Sequence, residues 1–177
     1  MSDVEPPLDL WKWVEANRKS FAPPVGNKVI WRDSEFIAMV VHGPNRRRDF
    51  HIDPHDEIFF QLRGDIHVAI VNPDGKIVRH DVRQGQLFLV PAFTPHSPRR
   101  PAGTWGLVVE RKRTPDETED MVWYCERCGS ELYKVSMKVS DIEVQMAQAI
   151  RTFDSSVELR TCRRCSRTMP EQAEEPV

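Results

Sequence analysis

Between residues 29 and 110 the chain is a succession of short β-rich runs: 29 to 32, 36 to 41, 57 to 62, 66 to 71, 77 to 82, 87 to 90 and 105 to 110. Turn residues close each run, at Gly43-Pro44-Asn45, Arg63-Gly64-Asp65, Asn72-Pro73-Asp74-Gly75 and Gln84-Gly85-Gln86, which supply positive φ or preset turn geometry. No helix-length segment interrupts the series, so βαβ units are excluded and a mainly β sandwich or barrel is expected. Two amphipathic helices are expected outside it. Residues 9 to 18 place Leu10, Trp13 and Val14 on one face behind an Asp9 N-cap, ending before Ala22-Pro23-Pro24. Residues 139 to 153 carry Ser140 as N-cap, Glu143 as the partner in a capping box, and Ile142, Met146, Ala149 and Phe153 at helical spacing.

The four cysteines form two CxxC pairs, Cys125 with Cys128 and Cys162 with Cys165, separated by 33 residues. In a reducing compartment that spacing points to four thiolates around one tetrahedral metal rather than to disulfides. Iron and zinc both accept such a site. The polar connector at 112 to 120 (KRTPDETED) marks the expected boundary between a barrel with its N-terminal helix, 1–114, and a metal-bound α/β appendage, 115–177, reading knuckle, strand, helix, knuckle. The end of that appendage, after Cys165, is polar and acidic and is expected to fray. A length of 177 residues suits one compact domain with such an appendage.

Charge narrows the function. Lys+Arg 25 against Asp+Glu 27 leaves a formal charge of -2, so no bulk field draws the chain to nucleic acid or an anionic membrane. The apolar runs fall far short of the roughly 20 residues that span a bilayer. The N-terminus is acidic and lacks the basic start and apolar core of a secretion signal, so a cytoplasmic location is expected.

Two clusters carry the chemistry. In the first, six residues separate His51-Ile52-Asp53-Pro54-His55-Asp56-Glu57 from Gly64; in the second, five residues separate Gly85 from Pro91, and His96 stands five positions after Pro91. These spacings resemble the two motifs of the cupin superfamily, G(x)5HxH(x)3-4E(x)6G and G(x)5PxG(x)2H, in which antiparallel strands of a jelly-roll barrel aim metal ligands inward. Asp53 stands where the motif has its second histidine and Phe93 where it has glycine. The matched residues leave His51, Glu57 and His96, a set of two imidazoles and one carboxylate that suits Fe(II) and oxygen chemistry, with zinc and manganese still open.

A wider set of segments resembles the 3-hydroxyanthranilate 3,4-dioxygenases, from about residue 8 to 166. It includes Pro23-Pro24-Val25-Gly26-Asn27, Gly43-Pro44-Asn45 with Arg47, Asp49 and His51, Phe59-Phe60-Gln61-Leu62-Arg63-Gly64, Pro95-His96-Ser97-Pro98-Arg99-Arg100-Pro101, Glu110-Arg111 and Trp123-Tyr124-Cys125. The resemblance implies Fe(II) held by His51, Glu57 and His96, a rubredoxin-like second iron (or zinc) on Cys125, Cys128, Cys162 and Cys165, and a homodimer. It implies a substrate, 3-hydroxyanthranilate, chelated through its amino nitrogen and phenolate oxygen. With O2, and no organic cofactor, the ring opens between C3 and C4 to 2-amino-3-carboxymuconate semialdehyde, which cyclises to quinolinate on the route to NAD. Arg100 matches the carboxylate-binding arginine, Arg47 a second arginine beside the iron, and Glu110 the acid that takes a proton from the substrate. Asp49 would orient Arg47 or a ligand, and Asn27, Val25 and Ile142 would line the wall.

Plainer readings stand beside these. His42, His55, His67 and His80 are expected to be packing or surface residues. Arg46, Arg48 and Arg99 are expected on the surface, and the tryptophans as core or interface anchors. Two other functions fit parts of the pattern: a cupin dioxygenase of another aminophenol or catechol, and a non-catalytic cupin that binds a small carboxylate. The second needs the arginines but not the open metal positions.

Overall fold

A computed structural model describes residues 4–21, 26–45 and 47–171. Eleven strands form two antiparallel sheets: β1 (Gly26–Val29), β2 (Phe36–His42), β3 (Asp49–Ile52), β4 (Glu57–Arg63), β5 (Ile66–Val71), β6 (Ile77–Val82), β7 (Leu87–Val90), β8 (His96–Arg99), β9 (Trp105–Arg111), β10 (Glu119–Tyr124) and β11 (Glu131–Met137). One sheet runs β1-β2-β9-β4-β7 and the other β11-β10-β3-β8-β5-β6. The mainly β sandwich or barrel expected from the turn spacing is therefore present, as the double-sheet jelly-roll that the cupin resemblance implies. The helices are α1 (Leu10–Ala16), α2 (Ile142–Ser155) and α3 (Val157–Arg160), with a 3-10 turn at Arg18–Ser20.

Alternation along each strand sorts side chains between the barrel interior and the outer face. On β4, Glu57, Phe59 and Gln61 are buried while Ile58 is exposed. The first apolar core joins Met39, Val41, Phe59, Val68, Val108 and Met121 to Met146, Ile150 and Phe153 of α2. Phe153 is fully buried and stacks on Trp123, with ring centroids 4.8 Å apart. A second cluster lies outside the first sheet, where Val14 of α1 meets Phe21, Val40 and Trp105, and Leu10 and Trp13 pack on its margin. Asp9 caps α1 by accepting from Lys12 N at 3.1 Å, as expected.

Several boundaries differ from the sequence reading. The first strand lies at Gly26–Val29, not 29 to 32, because its register pairs Gly26 with His42 and the chain turns away at Ile30. β3 and β8 were not expected, since their inward positions carry polar residues. The N-cap of α2 is Asp141, which accepts from Val144 N at 3.2 Å, rather than Ser140. Glu143 forms no capping box; it accepts from Val29 N at 2.8 Å and pairs with Lys28 and Arg32, so it binds α2 to β1. β10 begins inside the expected connector and pairs with β3, so the second sheet continues across residue 114. Of the tryptophans, Trp105 and Trp123 are buried, whereas Trp11 and Trp31 are exposed. Val25, Arg46 and the last six residues lie outside the described residues.

Because α2 reaches the barrel through Phe153, Phe153→Ala is expected to cost about 3 to 5 kcal/mol, the usual range for emptying a buried aromatic site. Urea unfolding measures it, and a loss under 1 kcal/mol would contradict this packing.

Candidate metal and substrate site

The two histidine clusters meet because β3 pairs with β8 at a single register position, His51 opposite His96. Glu57 starts β4, and its neighbour across the other sheet is Glu110 on β9. These pairings bring His51 Nδ1 to 3.2 Å and His96 Nε2 to 3.1 Å from Glu57 Oε1. All three residues are buried, and their ligand atoms lie within 4.8 Å of one another.

The other nitrogen of each imidazole also faces an oxygen. His96 Nδ1 donates to the Thr94 carbonyl at 2.9 Å, leaving Nε2 to face Glu57. His51 Nε2 lies 3.3 Å from Glu119 Oε1. Carboxylate or carbonyl partners on the far nitrogen are the usual way to fix tautomer and ring direction of metal-binding histidines. Burial alone would raise the Glu57 carboxyl, but the two imidazoles hold it well below the ordinary range. Burial alone would lower His51, yet Glu119 and Glu57 raise it well above its ordinary value. Such concentrated negative charge, with Glu57 Oε1 lacking a hydrogen-bond partner, fits a cation seated among the three donors.

Above these donors opens a cavity. Met39, Val41, Phe59, Val108, Ile142 and Met146 supply its apolar lining, and Asn27, Asn45, Arg47, Arg100 and Glu110 its polar groups. Asn27 is buried, with Nδ2 3.8 Å from Met39 Sδ. Arg47 is held by Asp49, with Nε donating to Oδ1 at 3.1 Å. Burial would lower the Arg47 guanidinium, but Asp49 outweighs it and the group stays above its ordinary value.

Arg100 is different, for it has no counter-ion among the described residues. Its Nη1 donates to Gln61 Oε1 at 3.0 Å, its buried Nε has no partner, and burial, with Arg47's charge adding, lowers it to about 10. A desolvated guanidinium with open donors is matched to a carboxylate ligand. Its placement is tightly built. Asn45 exchanges backbone and side-chain hydrogen bonds with the Arg100 backbone, at 3.0 and 2.8 Å. Gly106 gives it space: a Cβ there would stand 2.6 Å from Arg100 Nη1 and 2.8 Å from Nη2.

Glu110 is 1% exposed. Its Oε1 accepts from Arg113 Nη1 at 2.6 Å, while the buried Oε2 has no partner. Burial, with Glu57's charge adding and Arg113 opposing, pushes its carboxyl up to about 8. A glutamate at the end of an apolar strand is ordinarily solvated; this one is buried.

Asp53 belongs to none of the groups that include His96. It accepts from His55 N at 2.8 Å and from Arg113 Nη2 at 2.5 Å. Phe93 keeps the backbone of the motif glycine it replaces, with φ of 60° and its N–H on the Asp53 carbonyl at 2.7 Å. His42 stacks on Trp105, His55 pairs with Glu117 at 3.0 Å, and His80 packs on Phe88. Arg48 and Arg99 are half-buried rather than fully exposed, Arg48 because it donates to the Pro170 carbonyl at 2.7 Å.

Sequence reasoning missed Arg113, Glu119, Asn45, Gln61 and Gly106. Arg113 and Glu119 sat in a charged run read as a solvated connector. The one available signal was the β-rich stretch after Glu119, whose alternation puts Glu119, Met121 and Trp123 on one face.

A second cluster gathers the sulfurs of Cys125, Cys128, Cys162 and Cys165 within 4.8 Å of one another, all as free thiols. Each knuckle turns on a backbone bond, Gly129 N to Cys125 O and Ser166 N to Cys162 O, both 2.8 Å.

A double-sheet barrel with two imidazoles and a carboxylate gathered at its cavity has the architecture of a cupin, with a donor set that could hold a metal ion. More narrowly, residues 1–154 match the family model "3-hydroxyanthranilic acid dioxygenase", and the chain belongs to that family. A protein of Bacillus cereus strain 03BB102 named 3-hydroxyanthranilate 3,4-dioxygenase is 49% identical over 99% of this chain and 98% of its own. One of the same name from Xanthomonas campestris pv. campestris strain B100 is 44% identical over 93% of each chain. Among solved structures, a cupin-2 domain protein of Shewanella frigidimarina is similar over 55% of this chain and 90% of its own, with 14% identity and a TM-score of 0.45.

Because Gly106 opens the space for Arg100, Gly106→Ala is expected to weaken binding of benzoate-type carboxylates at least tenfold in calorimetric titration. Affinity within twofold of the parent would remove Arg100 from the binding site.

Proposed function

We infer that the chain is an Fe(II)-dependent ring-cleaving dioxygenase that converts 3-hydroxyanthranilate and O2 to 2-amino-3-carboxymuconate semialdehyde. The observation that carries this reading is the joint placement, in a chain of this family, of His51, Glu57 and His96 beneath an unpaired Arg100 and a half-satisfied Glu110. The donor set fits Fe(II), which when bound supplies a centre where an ortho-aminophenol and O2 meet.

The chain's own residues do the rest. Arg100 offers Nε and its free Nη donors to the substrate carboxylate, setting the ring above the metal donors. Arg47, fixed by Asp49, adds positive charge beside the same anion. Glu110 Oε2 takes the proton that the substrate releases on chelation, within reach of a strand whose pairing with β4 sets its height above Glu57. The apolar lining excludes water, which strengthens each of these contacts. Both atoms of O2 enter the product and no outside reductant is needed. The absence of a counter-ion for Arg100 favours a substrate bearing a carboxylate over simple catechols and aminophenols. A purely binding role would leave Glu110 without a task.

The four cysteines would hold a second iron, or zinc, that clips the appendage from about residue 115. Thiols kept reduced for such a metal fit the cytoplasm, and among the described residues no helix is long and apolar enough to cross a membrane. A homodimer is supported by the outer face of the first sheet. There Ile58, Leu87 and Leu89 are 43, 70 and 54% exposed, next to the half-buried Phe60, Leu107 and Val109, while the α1 cluster covers that face at its Val40, Leu62 and Trp105 end.

Two outcomes follow. Fe(II)-loaded protein mixed with 3-hydroxyanthranilate should take up one O2 per ring-opened product, while Arg100→Ala raises KM at least thirtyfold, as expected when a buried carboxylate loses its partner. No uptake by protein shown to hold iron at the His51 site would refute the activity. In light scattering, Leu87→Asp with Leu89→Asp should convert a dimer to a monomer; a parent already monomeric would refute the interface.

A further inference from the structure

Among the described residues Arg113 is the cation that faces the acidic side of the site, and the proposed reaction gives it no role of its own. Its side chain is 1% exposed although it lies in the charged stretch after β9. The guanidinium holds three carboxylates at once: Nη1 donates to Glu110 Oε1 at 2.6 Å, and Nη2 serves both Asp53 Oδ2 at 2.5 Å and Glu119 Oε2. Glu119 then turns its other oxygen, Oε1, to His51 Nε2 at 3.3 Å. A continuous line of contacts thus runs from Glu110 on one sheet, through Arg113 and Glu119, to His51 on the other.

We propose that Arg113 and Glu119 are positioning residues for the reaction: Arg113 sets the Glu110 carboxylate on the cavity wall, and through Glu119 it sets the direction of the His51 imidazole. The geometry explains why a planar fork is needed. Only a guanidinium presents separate nitrogens to Glu110 on one side and to Asp53 and Glu119 on the other, whereas an ammonium is a single point. With Oε1 taken by Arg113, Glu110 is left with Oε2 free toward substrate. With Glu119 Oε1 beside its Nε2, His51 turns Nδ1 to Glu57. One residue thereby ties the proton acceptor to a metal donor in fixed register across the two sheets.

The inference rests on the ligand and proton-acceptor reading above, and its test separates the two. Arg113→Lys, Glu119→Gln and His51→Ala are prepared as iron-loaded full-length proteins, with circular dichroism and thermal unfolding to confirm folding. Release of the His51-site iron to a chelator is timed, with the thiolate charge-transfer absorbance reporting the four-cysteine site separately. Glu119→Gln is expected to release that iron 10 to 100-fold faster, the usual effect of removing the outer carboxylate of a metal-bound histidine. Arg113→Lys is expected to lower kcat for 3-hydroxyanthranilate at least tenfold with KM within threefold, because Arg100 is untouched. A structural role alone would lower the melting temperature and leave kcat and KM of the folded fraction as in the parent, and that result would overturn the proposal. Parent-like iron release from Glu119→Gln would overturn it as well, even if Arg113→Lys fails to fold. Retention of this iron by His51→Ala would instead refute the ligand reading beneath it.

Discussion

The constraint on which the rest of the structure depends is the burial of Asp53, Glu57, Glu110 and Glu119 in one neighbourhood around His51. Isolated carboxylates are expelled from apolar interiors by many kcal/mol. Here Arg113 balances three of them from one side, and the arrangement of His51, Glu57 and His96 offers the fourth to a cation. The barrel supplies what this requires. Two sheets paired at His51 with His96, and at Glu57 with Glu110, bring charges from four strands to one place, while the apolar core keeps water from screening them. Arg47 follows a different rule, neutralised at once by Asp49, whereas Arg100 has no carboxylate partner among the described residues and is offered, in the proposed reaction, to the substrate's anion.

The appendage is part of this economy as well as a neighbour of it. Its helix α2 places Ile142 and Met146 in the cavity lining and Phe153 against Trp123 of the barrel sheet. Glu143, by accepting from Val29 N, fastens the start of that helix to the strand that carries Asn27. The four-cysteine cluster lies beyond both ends of the segment from β11 to α3, so a metal there would close the loop that presents the cavity wall. That gives the knuckles a physical reason to accompany the barrel.

Much of this was legible in the sequence. Short β-rich runs closed by turn residues, such as β4, β5 and β9, announced themselves, and the resemblance to the two cupin motifs pointed to His51, Glu57 and His96. β3 and β8 did not, because the positions they turn inward are Asp49, His51, His96 and Pro98, which look like loop residues until a partner buries them. Arg113 and Glu119 were illegible for the same reason: in KRTPDETED every side chain looks solvated, and only the pairing of β10 with β3 carries two of them inside. The cap of α2 was misplaced by one residue because Ser140 and Asp141 are both able caps, and tertiary contacts with β1 claimed Glu143. Gly106 had no signal at all; its meaning lies in the guanidinium opposite.

The central claim is that one metal ion sits among His51, Glu57 and His96 beneath the cavity. Anomalous diffraction at the iron edge from crystals of the Fe(II)-loaded protein tests it most directly. The account predicts a peak bonded to His51 Nδ1, one oxygen of Glu57 and His96 Nε2, apart from any peak at the four cysteines. A peak on the Asp53 and Glu119 side of His51, or none in the barrel, would contradict it.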